Sequence, residues 1–391
     1  MITPPHLQKL SERLRDAARN GTLSQSVLFV GRQGVGKFSL VMNLTMTLLC
    51  DDDKSSCGKC VSCRDVARLF HPDFLLVFPF PNLKPESKKH TVFHFSDPVS
   101  SNARFSEETR NVVEEYKKAR QEDPFALPNF EKKENIPVEV VKDLLHALGK
   151  KPLRGGRRVV AVLDLDKMAY GAADLFLKTV EEPPRNTHLL LTTSQPNLLY
   201  STLLSRTQQI KVPPVPEEQV AKIVMERLGT GAETGLYLAR MSGGSPGAAI
   251  NLHELDVLSR REKILGIFQK LLEGGRAGLI IGEVSGLYGG FKARYDDTKT
   301  DFSIIETIIH DLYMMGENNL ESNLINIDIK QELQKLKAPE KEVLDIWRNC
   351  CAEVKRACTV NNVSVDAGMV FFYLSCLEAL QDLTGPKYTL P

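Results

Sequence analysis

The stretch "GRQGVGKF", residues 31 to 38, carries Gly31, Gly34, Gly36 and Lys37 in the spacing G-x-x-x-x-G-K. Glycines at these places let successive backbone N–H groups curl around phosphate oxygens, a following helix adds positive potential, and the lysine can reach the outer phosphates. Binding of ATP or ADP is the chemistry implied. An unliganded glycine-rich turn is the alternative. The next position ordinarily offers a hydroxyl to Mg²⁺, and it is Phe38, so metal-assisted phosphoryl transfer lacks one ligand and binding without hydrolysis is expected.

A second constellation follows at once. Cys50, Cys57, Cys60 and Cys63 are spaced C-x6-C-x2-C-x2-C, and four soft thiolates with no open position describe a structural, tetrahedral Zn²⁺ site. Four unrelated buried cysteines are the plainer reading, which so regular a spacing disfavours. His71 and Asp73 come after the cluster and are expected to be structural, because four sulfurs complete the shell. Cys350, Cys351, Cys358 and Cys376 fall at apolar positions of helical segments and are expected in the core.

These groups need elements to hold them. Residues 5–20 have helical periodicity through Leu7, Leu10, Leu14 and Ala17. "SVLFVG" is a buried strand leading into the glycine loop, and "RRVVAVLDLD" (157–166) and "THLLLTTS" are two more, with a helix over about 171–181 between them. Strands alternating with helices predict a parallel α/β sheet with its ligands at the carboxyl edge. Residues 82–134, rich in Lys, Glu, Ser and Pro, predict a surface insertion, partly mobile. "KVPPVPEEQV" (211–220) closes the sheet domain, with a new helix at Glu217. From about residue 255 only helical periodicity remains: Ile264, Phe268 and Leu271 share a face, as do Val343, Trp347, Cys350 and Val354, and later Met369, Phe372, Cys376 and Leu380. The expected domains are therefore 1–213, 214–254 and 255–391.

Composition narrows the classes. The chain has 391 residues with 50 basic and 49 acidic side chains, so no global field drives it onto DNA or a membrane. The amino-terminal stretch lacks the apolar core of a secretory signal, and no stretch approaches the roughly 18 apolar residues of a span. A cytoplasmic protein with no membrane partner is expected. Lys151, Arg154, Arg157 and Arg158 make a local basic cluster that reads as a solvated turn, with contact to phosphate or an acidic partner as its alternative.

The glycine loop, the four cysteines and "HPDF", followed by "LFLKTVEEPP" (175–184) and "LLSRTQQI" (203–210), together resemble bacterial clamp-loader subunits. These are AAA+ proteins that open a ring-shaped sliding clamp and close it around primed DNA. The resemblance covers about residues 5–80 and 135–252. It implies a P-loop NTPase-like α/β core, a small helical lid and an all-α collar that holds an oligomer together. It also places the Walker B carboxylate pair on Leu163 and Asp164, or one frame later on Asp164 and Leu165; either frame lacks one carboxylate. The arginine with which motor subunits sense nucleotide falls on Gly247, and Thr192 and Thr193 fall near the other sensing position.

One part stays intact in the resemblance, and it acts on a neighbour. Ser205 and Arg206 match an S-R-C signature, with Thr207 for the cysteine, whose arginine reaches the γ-phosphate held by the adjacent subunit. A finger kept beside a degenerate pocket of its own implies the non-motor, delta-prime type of subunit in the DNA polymerase III clamp loader. Its expected partners are gamma/tau-like motor and delta-like clamp-opening subunits, and through them the clamp and primed DNA. Such a chain is no enzyme by itself, but an accessory part of the DNA-directed DNA polymerase III holoenzyme. The rival readings are an ATP-hydrolysing gamma/tau-like motor, in which Lys37 and Asp164 remain catalytic, and a zinc-dependent DNA-binding module.

Overall fold

Short, continuously apolar runs bounded by turns fit buried strands, and those around the glycine loop form the centre of a parallel sheet. The computed structural model describes residues 4–52, 56–81, 107–123, 125–127, 134–154, 156–288, 295–316, 323–336, 338–360 and 364–384. The chain divides into two units, Met1–Val215 with Ser245–Ala248, and Pro216–Gly244 with Ala249–Pro391.

The first unit runs α1 (Gln8–Arg19), β1 (Ser26–Val30), α2 (Lys37–Leu49), α3 (Val61–Ala67), β2 (Phe74–Val77), β3 (Phe80–Pro81), α4 (Glu107–Glu122), β4 (Glu134–Asn135), α5 (Val138–Leu148), β5 (Arg158–Val162), α6 (Ala172–Glu181), β6 (Thr187–Thr193), α7 (Ser201–Ser205) and β7 (Gln208–Lys211). Five strands form one sheet in the order β2-β5-β6-β1-β7, every neighbour parallel. Because β1 lies between β6 and β7, the register sets Val30 beside both Thr193 and Lys211. The carboxyl ends of β1, β5 and β6 therefore meet at one edge, where ligands of such sheets bind. Val27, Leu28, Phe29, Val159, Val160, Leu189 and Leu190 are wholly buried, as a parallel sheet covered on both faces requires. This is the parallel α/β core that the alternating strands and helices predict.

The insertion is where structure and expectation part. Residues 82–106, 124 and 128–133 lie outside the described residues, but the described remainder is not wholly at the surface. It forms α4, whose Tyr116 and Arg120 are buried, as is Phe125 beyond it. Tyr116 stacks on Phe78 with centroids 3.7 Å apart. Residues i and i+4 share a helix face, and that single inward stripe was hidden by the polar residues around it.

In the second unit α8 (Glu217–Leu228) and α9 (Ala232–Ser242) pair. After α10 (Pro246–Glu254), whose first residues count with the other unit, come α11 (Val257–Leu272), α12 (Ala277–Tyr288), α13 (Tyr295–Gly316), α14 (Lys330–Lys335), α15 (Lys341–Val360) and α16 (Val365–Thr384). The expected apolar faces of α11, α15 and α16 meet: Phe268 packs 5.4 Å from Trp347 and 5.8 Å from Tyr373, measured between centroids. The Trp347 indole N–H donates to the Cys376 carbonyl at 3.1 Å. Cys350 departs from expectation, for it is half-buried while its neighbour Cys351 is fully buried. A buried charge is paired as well, since Arg261 forks onto Asp328 at 2.8 and 2.6 Å and lies 3.9 Å from the Tyr237 ring centroid. No described helix is long and apolar enough to cross a membrane.

Candidate functional site: a phosphate loop, a cysteine cluster and an exposed arginine

The glycine loop joins β1 to α2, and Gly36 caps that helix with φ +101°, a conformation only glycine adopts without strain. Gly34, at φ +74°, leaves no room for a Cβ, which would stand 2.8 Å from the Ser245 hydroxyl and 2.9 Å from Gly247. The loop is thus tightly backed: Gly247 N–H donates to the Gly34 carbonyl at 3.1 Å, and Ser245 Oγ to the Gln33 carbonyl. Lys37 is buried, its Nζ donating to the carbonyls of Gly31 at 2.7 Å and Arg32 at 2.9 Å. Burial pulls its pKa down to about 8, against the opposing pull of Asp164 and Asp166. The lysine is folded onto its own loop.

Leu163 and Asp164 follow β5 and both line the same pocket, as do Gln33, Gly34, Gly36, Lys37, Phe38 and Thr192. The leucine offers no carboxylate, in agreement with the sequence. Asp164 takes φ +49° and its backbone N–H donates to Thr192 Oγ1 at 2.9 Å. The carboxylate that engages the end of β6 is a neighbour the sequence did not single out: Asp166 accepts from Thr193 Oγ1 at 2.5 Å and from Ser194 N–H at 3.0 Å. Thr193 thus finishes its strand in a structural bond, whereas Thr192 faces the pocket.

Two further pocket residues come from the insertion, Arg120 and Leu127. The Arg120 guanidinium lies 5.1 Å from the centroid of Phe38 and 5.2 Å from that of Tyr116. With them in place the cavity is about 20 Å³, enough for a water or so. Spacing of Tyr116 and Arg120 on one helix face was the only signal in the sequence, and it pointed to burial rather than to this pocket.

The four cysteines do come together: their Sγ atoms all lie within 4.8 Å of one another. Cys50 Sγ is 3.7 Å from Cys57 Sγ and 3.8 Å from Cys60 Sγ. Thiolates at the corners of a tetrahedron with Zn–S of about 2.3 Å stand about 3.8 Å apart, so the donor set and its size fit zinc. Backbone N–H groups of Cys60 and Cys63 donate to the sulfurs of Cys57 and Cys60, each at 3.3 Å, an arrangement that favours thiolate. Without a cation, burial pushes the Cys63 thiol well up.

His71 and Asp73 act as fasteners, as expected. Asp73 N–H donates to His71 Nδ1 at 3.1 Å, which leaves Nε2 to donate to Ser62 Oγ, also at 3.1 Å. Ser62 in turn donates to Asp51 at 2.6 Å. The Asp73 carboxylate receives the N–H groups of Leu153 and Arg154, each at 2.6 Å. The basic cluster is largely consumed in the same way: Arg158 is buried on the carbonyls of Ala147, Lys150 and Lys151 at 2.8–3.0 Å, and Arg154 pairs with Asp65 at 2.8 Å.

Ser205 ends α7 and Arg206 caps it, both exposed. Arg206 does not line the phosphate-loop pocket. Its guanidinium rests on Glu181 at the end of α6, Nε 3.1 Å from Oε2, with a further bond to the Thr202 carbonyl at 3.1 Å. Ser205 Oγ also donates to Thr202 O.

Residues 6–216, more than half of the chain, match the family model described as DNA polymerase III, delta subunit. The chain is 26% identical over 262 residues to DNA polymerase III subunit delta' of Escherichia coli (strain K12), covering 66% of this chain and 64% of that one. It is 27% identical over 272 residues to the protein of the same name from Pseudomonas aeruginosa, covering 69% and 67%. The match therefore spans about two-thirds of the length of these curated relatives. A gamma subunit-related protein from Thermotoga maritima, solved by crystallography, aligns over 94% of this chain and 99% of that one with 16% identity and a TM-score of 0.39. A phosphate loop at a parallel sheet's carboxyl edge, a cysteine cluster starting at the far end of α2 and a family match running from α1 to the end of the sheet lead to one conclusion: this chain belongs to the DNA polymerase III, delta subunit family.

Proposed function

We propose that the chain is a non-motor, delta-prime-like subunit of a sliding-clamp loader and that Arg206 completes the ATP site of a neighbouring subunit. The observation that carries this reading is the position of Arg206, exposed at the end of α7 and absent from the pocket of its own chain. A finger must be presented to a partner before it can act in trans, and its charge offsets that developing on the transferred phosphoryl group. In the lone chain Glu181 holds it. That pair is exposed, with 36% and 51% of the two side chains open to solvent, and such pairs are worth about 0–1 kcal/mol. Docking against a nucleotide can release the guanidinium at little cost.

The chain's own chemistry would be silent, since Phe38 supplies no hydroxyl and Leu163 no carboxylate. Gamma/tau-like motor subunits and a delta-like clamp opener would be its partners, with the clamp and primed DNA reached through them. Residues 255–391 would provide the collar, and residues 214–254 the lid, of a three-part subunit. Zn²⁺ held by Cys50, Cys57, Cys60 and Cys63 would fasten the segment between α2 and α3 and take no part in catalysis. A reducing cytoplasm suits four free thiolates.

The test is a loader reconstituted with an Arg206→Ala subunit. We expect the complex to assemble and hydrolysis at the facing site to fall by about 10³-fold or more. Glu181→Gln, which only frees the arginine, should leave turnover near that of the unaltered complex. Full turnover with Arg206→Ala would remove the trans role, and brisk ATP hydrolysis by the purified chain alone, abolished by Lys37→Ala, would favour the motor reading.

A further inference from the structure

We propose that the segment from α4 to Leu127 is a resident plug, the chain's own occupant of its phosphate-loop pocket. The inference rests on the reading above only for what such a pocket would otherwise hold. Four side chains build the plug. Tyr116 anchors it by stacking on Phe78, just beyond β2. Arg120, one turn further along, is 7% exposed and enters the pocket beside Lys37, Asp164 and Thr192. Its Nε has no hydrogen-bond partner, and its guanidinium lies against the Phe38 and Tyr116 rings. Phe125 closes over the loop itself, its ring 3.5 Å from where a Cβ on Gly36 would stand, and Leu127 completes the lining.

Phe38 thereby acquires a use. A hydroxyl at that position would serve magnesium, whereas a phenyl ring offers a π face to a buried guanidinium. The plug and the loss of the metal ligand are two sides of one substitution. Gly247 tells the same story, because a Cβ there would stand 2.1 Å from the Phe125 carbonyl oxygen. No side chain fits, so an arginine reaching toward a nucleotide from this position and the plug exclude one another. What remains between plug and loop is about 20 Å³, room for about one water. The loop keeps its curled shape because backbone and side chains of the same chain pack it.

The experiment measures binding of a fluorescent ATP analogue, methylanthraniloyl-ATP, to the full-length protein. The unaltered chain should show no saturable binding into the millimolar range, and Tyr116→Ala/Arg120→Ala or Phe125→Ala, with Lys37 intact, should bind at least about tenfold more tightly. Zinc content and circular dichroism check that the variants are folded. Hydrogen exchange on the unaltered chain gives an independent reading: the amides of residues 34–38 should be protected without nucleotide and unchanged by added ATP. Saturable binding by the unaltered chain as tight as that of the variants, ATP-dependent exchange in α4, or no gain in any folded variant would overturn the plug. The plug variants should still support Arg206-dependent ATP hydrolysis in the reconstituted loader, so the two proposals fail separately.

Discussion

Lys37 and Arg206 are both cations in motifs that handle phosphate, and their surroundings give them opposite behaviour. Lys37 is buried on two loop carbonyls with its pKa down at about 8, below the roughly 10.4 of an unfolded lysine. The sign follows from proton counting. Between those two values the unfolded chain keeps a proton that the native chain has released, so this group's contribution to stability rises with pH across the window and its burial cost stands in full below it. Urea unfolding of the unaltered chain followed by circular dichroism should therefore show a midpoint that gains between pH 8 and 10 relative to Lys37→Met. The variant should be the more stable at pH 7, and parallel pH profiles would contradict this account of the lysine. Arg206, exposed and paired with Glu181 at the surface, carries no comparable burial cost.

At the scale of elements, the four-cysteine segment and α4 show two ways in which a core-poor stretch becomes ordered. Residues 50–63 carry few apolar groups, and their order rests on sulfurs converging at metal-ligand distances and on the Asp51–Ser62–His71 chain of bonds beside them. Metal binding in such a segment is folding free energy, on the order of 10 kcal/mol. One zinc per chain by elemental analysis is the expected stoichiometry. Cys60→Ser should lose that ion and expose the 50–67 region to proteolysis while the strands of the sheet stay protected from exchange; a stable, zinc-free wild-type segment would contradict it. Helix α4 instead draws its order from one face, where Tyr116 and Arg120 meet Phe78 and Phe38. A four-cysteine spacing is visible in any listing of residues, because ligand type and number suffice. A two-residue face within a charged helix is not, because its partners lie far away in the chain.

Across the whole molecule the two units have separate cores. Trp347, wholly buried among Phe268, Tyr373 and the Cys376 carbonyl, belongs to the second. Its replacement by alanine should cost that unit about 3–5 kcal/mol and leave zinc content and phosphate-loop exchange unchanged, which thermal unfolding with elemental analysis would check. Local chemistry alone pointed to the parallel α/β core, the helical second half and the convergence of the four cysteines: periodicity and ligand spacing are properties of neighbours in sequence, whereas Arg206 was singled out only by the resemblance. Tertiary structure decided that Lys37 turns inward, that the Asp166 carboxylate ties the end of β6, and that Arg120 and Leu127 enter the pocket. Those outcomes depend on which surfaces remain for a distant segment to fill once the sheet has formed, and no window of residues contains both the segment and the space.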